Sequence, residues 1–253
     1  MSNRSFDPPL LQSFRTMPPL TRLDENLTRV RDRIGRSEAA SGRAAGSVTL
    51  IAVTKRTPAE FAAHLAGIGQ LDLGENYPQE LWTKAAELAG LPGIRWHAIG
   101  HLQTNKLKKT LPLVTMIHAV DSLKLLAEIA AGMASANRLE RVCLQVNMSG
   151  EASKHGWSAE TIRADADRIR EIIARSGVPV TGLMTMAALG TDAETARPAF
   201  AALRELRDRL TQETGLKLTD LSMGMSGDFE AAIAEGATHV RVGSLLFEGM
   251  NPS

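Results

Sequence analysis

The chain has 253 residues, a length one large α/β domain can use whole, and its 43% hydrophobic and 23% charged residues are an ordinary globular balance. Its 29 Lys and Arg against 28 Asp and Glu leave a formal charge of +1, and aromatics are 4%. Those values argue against nucleic-acid binding through a broad basic face or base-stacking platforms.

In chain order, residues 1–20 contain Pro8, Pro9, Pro18 and Pro19 and no continuous apolar run. They are expected to form a mobile tail, neither a signal peptide nor a membrane span, leaving 21–253 as one domain. No later stretch is long and apolar enough to cross a bilayer. Leu23, Leu27, Val30 and Ile34 recur at steps of 4, 3 and 4, which predicts an amphipathic helix closing near Gly35 and Gly42. Short apolar runs follow at 48–54, 71–75, 95–99, 116–120, 141–147, 180–184, 220–223 and 239–242. Helical patterns alternate with them, notably 122–136, 158–175 and 193–214; the last carries Phe200, Leu203, Leu206 and Leu210 on one stripe. The single cysteine, Cys143, lies in the run Val142-Cys143-Leu144 and reads as an inert core thiol, in keeping with a reducing cytoplasm.

Strand–helix alternation implies right-handed βαβ units and a parallel sheet. Eight units predict a single (β/α)8 TIM barrel with an N-terminal helix; a doubly wound open sheet is the alternative, and no G-x-G-x-x-G follows the first strand. Catalytic groups of such barrels gather at the C-terminal strand ends. Here those ends read Thr54-Lys55-Arg56, Gly74-Glu75-Asn76-Tyr77, His97-Ala98-Ile99-Gly100-His101, Asn147, Met184-Thr185, Met223-Gly224-Met225-Ser226-Gly227 and Arg241-Val242-Gly243-Ser244.

Lys55 is the sharpest of these. An amine at a strand end, walled by apolar neighbours, is desolvated toward a nucleophilic state and can condense with a carbonyl. The plain alternative is a lysine that reaches solvent or pairs with an acid such as Glu75. Gly224, Ser226, Gly227, Gly243 and Ser244 are small enough for backbone N–H groups to approach an anion, and Asp228 opens a helical pattern. Loops after strands seven and eight are the usual phosphate site of these barrels, although two tight turns would read the same way. A lysine facing a phosphate cup suits either an aldolase acting on a sugar phosphate or a phosphorylated aldehyde cofactor.

The ordered motifs Leu50-Ile51-Ala52-Val53-Thr54-Lys55, Leu73-Gly74-Glu75-Asn76-Tyr77 and Trp96-His97-Ala98-Ile99-Gly100-His101-Leu102-Gln103 lead on to Gly182-Leu183-Met184. They continue in Leu221-Ser222-Met223-Gly224-Met225-Ser226-Gly227-Asp228 and Val240-Arg241-Val242-Gly243-Ser244. Over roughly 23–249, the sequence resembles the pyridoxal phosphate homeostasis proteins, whose barrel is like the N-terminal domain of alanine racemase. The resemblance implies pyridoxal 5′-phosphate as cofactor, with Lys55 as the Schiff-base lysine. It also implies Asn76 close to the cofactor ring, Met225 lending backbone to the phosphate cup, Ser226, Gly243 and Ser244 holding the phosphate, and Arg241 beside the pyridine nitrogen. Leu73 stands where the family more usually has Phe, and Gly227 fills a permissive position.

An arginine at that nitrogen stays protonated and leaves the ring a weak electron sink. Racemases of this barrel type add a second acid/base, typically a tyrosine from a β domain, and the chain ends at Ser253 directly after the eighth unit. The expected function is therefore to buffer and deliver the cofactor, with no catalytic residue assigned, apo forms of cofactor-dependent enzymes as recipients and a monomeric state. A racemase using the same lysine is the competing reading. Tyr77, the only tyrosine, reads as the start of a helix. No carboxylate at metal-ligand spacing accompanies His97 and His101, and no metal is expected. Lys106, Lys108 and Lys109 read as a solvated basic face, with a weak anion or second cofactor-contact site as the alternative.

Overall fold

The computed structural model describes residues 18–148, 155–188, 190 and 192–250. Helix α1 (Pro18–Ala40) precedes strand β1 (Thr49–Val53), and the chain then alternates strand and helix. In order come α2 (Ala59–Gly67), β2 (Asp72–Glu75), α3 (Pro78–Glu87), β3 (Arg95–Ala98), α4 (Leu107–Thr110), β4 (Val114–Val120), α5 (Leu123–Ala131) and β5 (Arg141–Gln145). They are followed by α6 (Ala159–Ala164), α7 (Ala166–Ser176), β6 (Val180–Met184), α8 (Ala193–Thr214), β7 (Asp220–Ser222), α9 (Phe229–Ala234) and β8 (His239–Val242). All strand pairs are parallel, and β1 pairs with both β2 and β8, closing the barrel. The (β/α)8 expectation holds.

Closure matters for the site because it brings the last strand beside the first. Ala52 stands opposite Leu73 on one side and Val242 on the other, so whatever follows β8 sits next to whatever follows β1.

The N-terminal helix begins at Pro18, inside the stretch expected to be tail; the rest of that expectation, 1–17, lies outside the described residues. Leu20, Leu23, Leu27, Val30 and Ile34 are buried, so Leu20 extends the apolar stripe by a turn. The helix runs through Gly35 to Ala40, and Glu38 closes its exit by accepting Val48 N at 2.8 Å and Gly46 N at 3.0 Å. Asn26 Nδ2 donates to the carbonyls of Leu246 and Glu248 at 2.9 and 3.0 Å, tying the helix to the segment after β8.

Two expected helices differ. The pattern at 158–175 is split at Asp165, whose carboxylate accepts Trp157 Nε1 at 3.0 Å and whose backbone stands at the edge of the helical region, at φ −87° and ψ 0°. The pattern at 122–136 ends at Ala131 and resumes as a 3-10 turn, Met133–Ser135. Helix α8 matches its expectation, with Phe200, Leu203, Leu206 and Leu210 buried on the predicted stripe.

Most of the core lies between barrel and helices. Inside the barrel, a small apolar group of Met116, Ala119, Cys143 and Met184 shares the interior with His97, His118, Ser222 and Arg241. Cys143 is fully buried, and burial pushes its thiol well above the ordinary range, so it stays an uncharged core group.

Candidate functional site

Thr54 is the last buried residue of the first strand end, and Lys55 and Arg56 turn past the barrel rim. Lys55 is exposed, so the apolar wall expected from its sequence neighbours is not there. Nor is Glu75 its partner. Lys84, on α3 and buried, reaches Glu75 Oε1 at 2.7 Å and the Thr54 carbonyl at 2.5 Å, and Thr54 Oγ1 donates to the same carboxylate oxygen at 2.6 Å. Burial raises the Glu75 carboxyl, against the hydrogen bonds from Lys84 and Thr54, and its Oε2 has no partner among the described residues. On the other side Arg56 N donates to Glu80 Oε2 at 2.9 Å. The turn carrying Lys55 is therefore clamped from beneath and from the side, while the amine itself faces solvent.

Beside it, after β7 and β8, lies the predicted phosphate cup. Gly224, two residues past β7, stands in the left-handed region at φ +91°, and a Cβ there would lie 2.6 Å from Ala232 Cβ and 2.9 Å from Phe229 Cα. Only glycine fits that corner. Asp228 Oδ1 accepts Met225 N at 2.6 Å, which holds the loop before α9. Ser226 Oγ accepts Gly243 N at 3.3 Å and Leu245 N at 3.5 Å, so donors from the loop after β8 converge on the loop after β7. A Cβ on Gly243 would meet Val53 Cβ at 3.3 Å and its carbonyl at 3.4 Å, so the cup is packed directly against the strand leading to Lys55. Ser244 is exposed and Asn76 half-buried at the end of β2.

Arg241 is buried, and its surroundings are the part that sequence reasoning missed. Its Nη1 donates to Ser222 Oγ at 2.6 Å and its Nη2 to the Thr185 carbonyl at 3.0 Å. Ser222 Oγ also meets His118 Nδ1 at 2.7 Å, His118 Nε2 meets His97 Nδ1 at 2.9 Å, and His97 Nε2 meets Asp72 Oδ1 at 3.1 Å. Arg95 grips the same carboxylate with Nε at 2.7 Å and Nη2 at 2.5 Å.

The donor and acceptor roles along this column follow from its two ends. Arginine only donates, so Ser222 accepts from it and spends its one proton on His118 Nδ1. His118 then carries its proton on Nε2 and donates to His97 Nδ1, which leaves His97 Nε2–H for the Asp72 carboxylate. Both imidazoles are neutral in this scheme, and burial, the largest influence on each, lowers both below the ordinary histidine value. Burial also works to raise the Asp72 carboxyl, but hydrogen bonds from His97 and Arg95 outweigh it and hold the group well below the usual carboxylate range. Arg241 is lowered by burial to about 10 and remains a cation at neutral pH. The recoverable signal in the sequence was two histidines within strand runs of a barrel, where a polar side chain needs an interior partner.

The remaining candidates fall outside this group. Tyr77 is 41% exposed at the N-cap of α3, its hydroxyl 3.3 Å from Arg56 Nη2. Lys106 and Lys109 place their ammonium groups 5.7 and 5.2 Å from the Trp82 ring centroid. His101 leaves the His97 column and pairs with Asp121. Among the described residues no helix is long and apolar enough to cross a membrane.

Residues 20–252 match the family described as alanine racemase, N-terminal domain. A pyridoxal phosphate homeostasis protein from Pseudomonas aeruginosa is 40% identical over 232 residues, covering 90% of this chain and 96% of its own. The chain belongs to the pyridoxal phosphate homeostasis protein family. A human member is 39% identical over 210 residues, covering 78% of this chain and 75% of its own. Another relative, PipY from Synechococcus elongatus PCC7942, has been solved with PLP bound; it is 37% identical, with a TM-score of 0.74, covering 85% of this chain and 99% of that one. An alanine racemase from Clostridium difficile 630 shares the fold at 17% identity and a TM-score of 0.68, covering 92% of this chain and 58% of the racemase.

Proposed function

We propose that this protein binds pyridoxal 5′-phosphate at the C-terminal mouth of its barrel, with Lys55 as the Schiff-base lysine, and that it buffers the cofactor and delivers it to cofactor-dependent enzymes. The observation that carries the reading is convergence. An exposed amine on a clamped turn, backbone donors centred on Ser226 and a buried guanidinium stand at one end of the barrel, in a family whose member PipY holds PLP.

The residues fit such a group. Gly243 N and Leu245 N, which meet at the Ser226 hydroxyl, are the kind of donors a phosphate dianion takes, joined by Ser244, while Met225 shapes the cup with its N–H held by Asp228. Arg241 engages Ser222 and Thr185 through two of its five N–H donors, which fixes the guanidinium plane and leaves others for a ring nitrogen. Being a cation that holds its protons, it donates without protonating that nitrogen, and the electron withdrawal a racemase exploits is weakened. The cofactor supplies an aldehyde that condenses reversibly with an amine, releasing water. An exposed Lys55 suits loading and release, because an incoming amine and water reach it without a lid opening. Asn76, at the adjacent strand end, would border the ring.

Absorbance of the purified chain with the cofactor, borohydride reduction and mass analysis of the Lys55 peptide test the site. A pyridoxyl group on Lys55, lost in Lys55→Ala, is expected; a modification elsewhere with Lys55 untouched sinks the assignment. For delivery, the loaded chain is mixed with an apo aminotransferase, and recovery of its activity faster than release into buffer is expected. Interconversion of alanine enantiomers at ordinary enzymatic rates would instead establish the racemase reading. We take the protein to act as a monomer, and light scattering at the mass of one chain checks it.

A further inference from the structure

His101, Asp121 and His155 stand far apart in sequence, in the connections after β3, β4 and β5, and meet at the mouth of the barrel. One ligand-capable atom from each lies within 4.8 Å of the others. His101 Nδ1 is 2.8 Å from Asp121 Oδ2, and the two imidazole rings stack with centroids 4.6 Å apart and planes inclined by 21°. We propose that these residues form a binding site for a divalent transition metal of the zinc class, with the remaining coordination positions open to solvent.

Donor chemistry comes first. Two imidazoles and one carboxylate suit zinc and its neighbours, and three protein ligands with an open position is the arrangement of reactive rather than structural zinc. Distance agrees. Ligands about 2.0–2.2 Å from a tetrahedral ion lie roughly 3.3 Å from one another. The present separations, from 2.8 Å to at most 4.8 Å, bracket that value. Small side-chain rotations bring the set onto an ion, and both imidazoles are exposed and free to make them.

Support beneath the ligands is the third argument. Asp121 directly follows β4 and precedes Ser122, the N-cap of α5, and its side chain is 9% exposed, so its carboxylate is held between two regular elements. The His155 carbonyl accepts Gln145 Nε2 at 2.8 Å, and Trp157, two residues on, bonds the Gln145 carbonyl through its backbone at 3.0 Å and Asp165 through its indole at 3.0 Å. A dication shared by all three would give the two stacked rings and the carboxylate one common partner.

His101 also lines a cavity of about 310 Å³ with Asn76, Tyr77, Gln103 and Lys106. A metal on His101 would therefore sit at the edge of the space beside Asn76, where a carboxylate or phosphate oxygen entering the cavity can take an open position. The metal site itself does not depend on the cofactor reading, since none of its three ligands belongs to the predicted cofactor set.

The test is zinc titration of the untagged full-length chain against a chromogenic chelator at neutral pH. One equivalent bound at micromolar or tighter affinity is expected, weakened by about tenfold or more in both His155→Ala and Asp121→Asn. Melting curves show whether each variant is folded; if Asp121→Asn unfolds, His155→Ala, at an exposed position, carries the decision. Cobalt(II) substitution is expected to give the strong visible bands of a four- or five-coordinate ion, weakened in the same variants. Failure of the unaltered chain to take up one equivalent overturns the proposal, and so does equal uptake by the folded variants.

Discussion

Arg241 is a buried cation with no carboxylate in hydrogen-bonding contact among the described residues, a placement that costs free energy unless its donors are met by neutral acceptors. Ser222 and the Thr185 carbonyl supply them, and Ser222 is held in its accepting role because its own proton is committed to His118. Ser222→Ala strands an arginine N–H and a histidine acceptor at once. The expected cost is about 1–3 kcal/mol in urea-unfolding free energy, with weaker cofactor binding alongside. A variant as stable as the parent that binds the cofactor equally well would show that the column does not position Arg241. Lys55 makes the opposite point. It was expected to be desolvated, yet it is exposed, and the buried lysine near this strand end is Lys84, spent on Glu75 and the Thr54 carbonyl. A buried charge needs a partner and Lys84 has one; an exposed amine stays available for chemistry.

At the level of elements, the site depends on turns more than on helices. Helix α9 has six residues, Phe229–Ala234, and Asp228 spends its side chain on Met225 N rather than on the helix end. The cup's shape therefore rests on the β7 corner. Gly224→Ala imposes a strained φ and a clash with Ala232 and Phe229, with an expected cost of about 1–3 kcal/mol and a loss of phosphate affinity. Gly227→Ala, three residues on, has open space around its Cβ and no positive φ, and is expected to change neither. Comparing the pair by urea unfolding and cofactor titration separates backbone shape from the mere loss of glycine; equal behaviour would refute the account. The split of α6 from α7 falls at Asp165, the residue whose carboxylate accepts the Trp157 indole.

For the whole molecule, the polar interior of the barrel predicts how it responds to acid. His97, His118 and His239 are held neutral by burial, so their folded values lie below the unfolded one. Below about pH 6.5 the unfolded chain binds protons that the folded chain refuses, and stability falls as pH falls. For His239, lowered from 6.5 to about 4 chiefly by burial, the loss across that window is on the order of 3 kcal/mol. Asp72 acts in the same direction in stronger acid: its folded carboxyl ionises below the usual range, so the stability present at neutral pH is lost as pH drops through that lowered value. The melting temperature is expected to decline steadily from pH 6.5 to 4, with a shallower slope in His239→Asn. A flat profile would mean that the interior histidines are not neutral in the fold.

The sequence by itself determined the eight-fold alternation, the burial stripe of α8 and the identity of the residues that emerge at the strand ends. Those follow from local rules: period, turn chemistry and the fact that parallel strands deliver their last residues to one face. It also carried the family motifs, and hence Lys55, Ser226, Arg241 and Gly243 as the residues to watch. What only the tertiary structure decided was who meets whom. Asp72, His97, His118 and Ser222 come from four strands and form one column because barrel closure aims them at a common axis. Exposure of Lys55, the choice of Lys84 as Glu75's partner, and the meeting of His101 with Asp121 and His155 likewise depend on contacts between distant segments. Burial and pairing are properties of the closed barrel, and no window of neighbouring residues contains them.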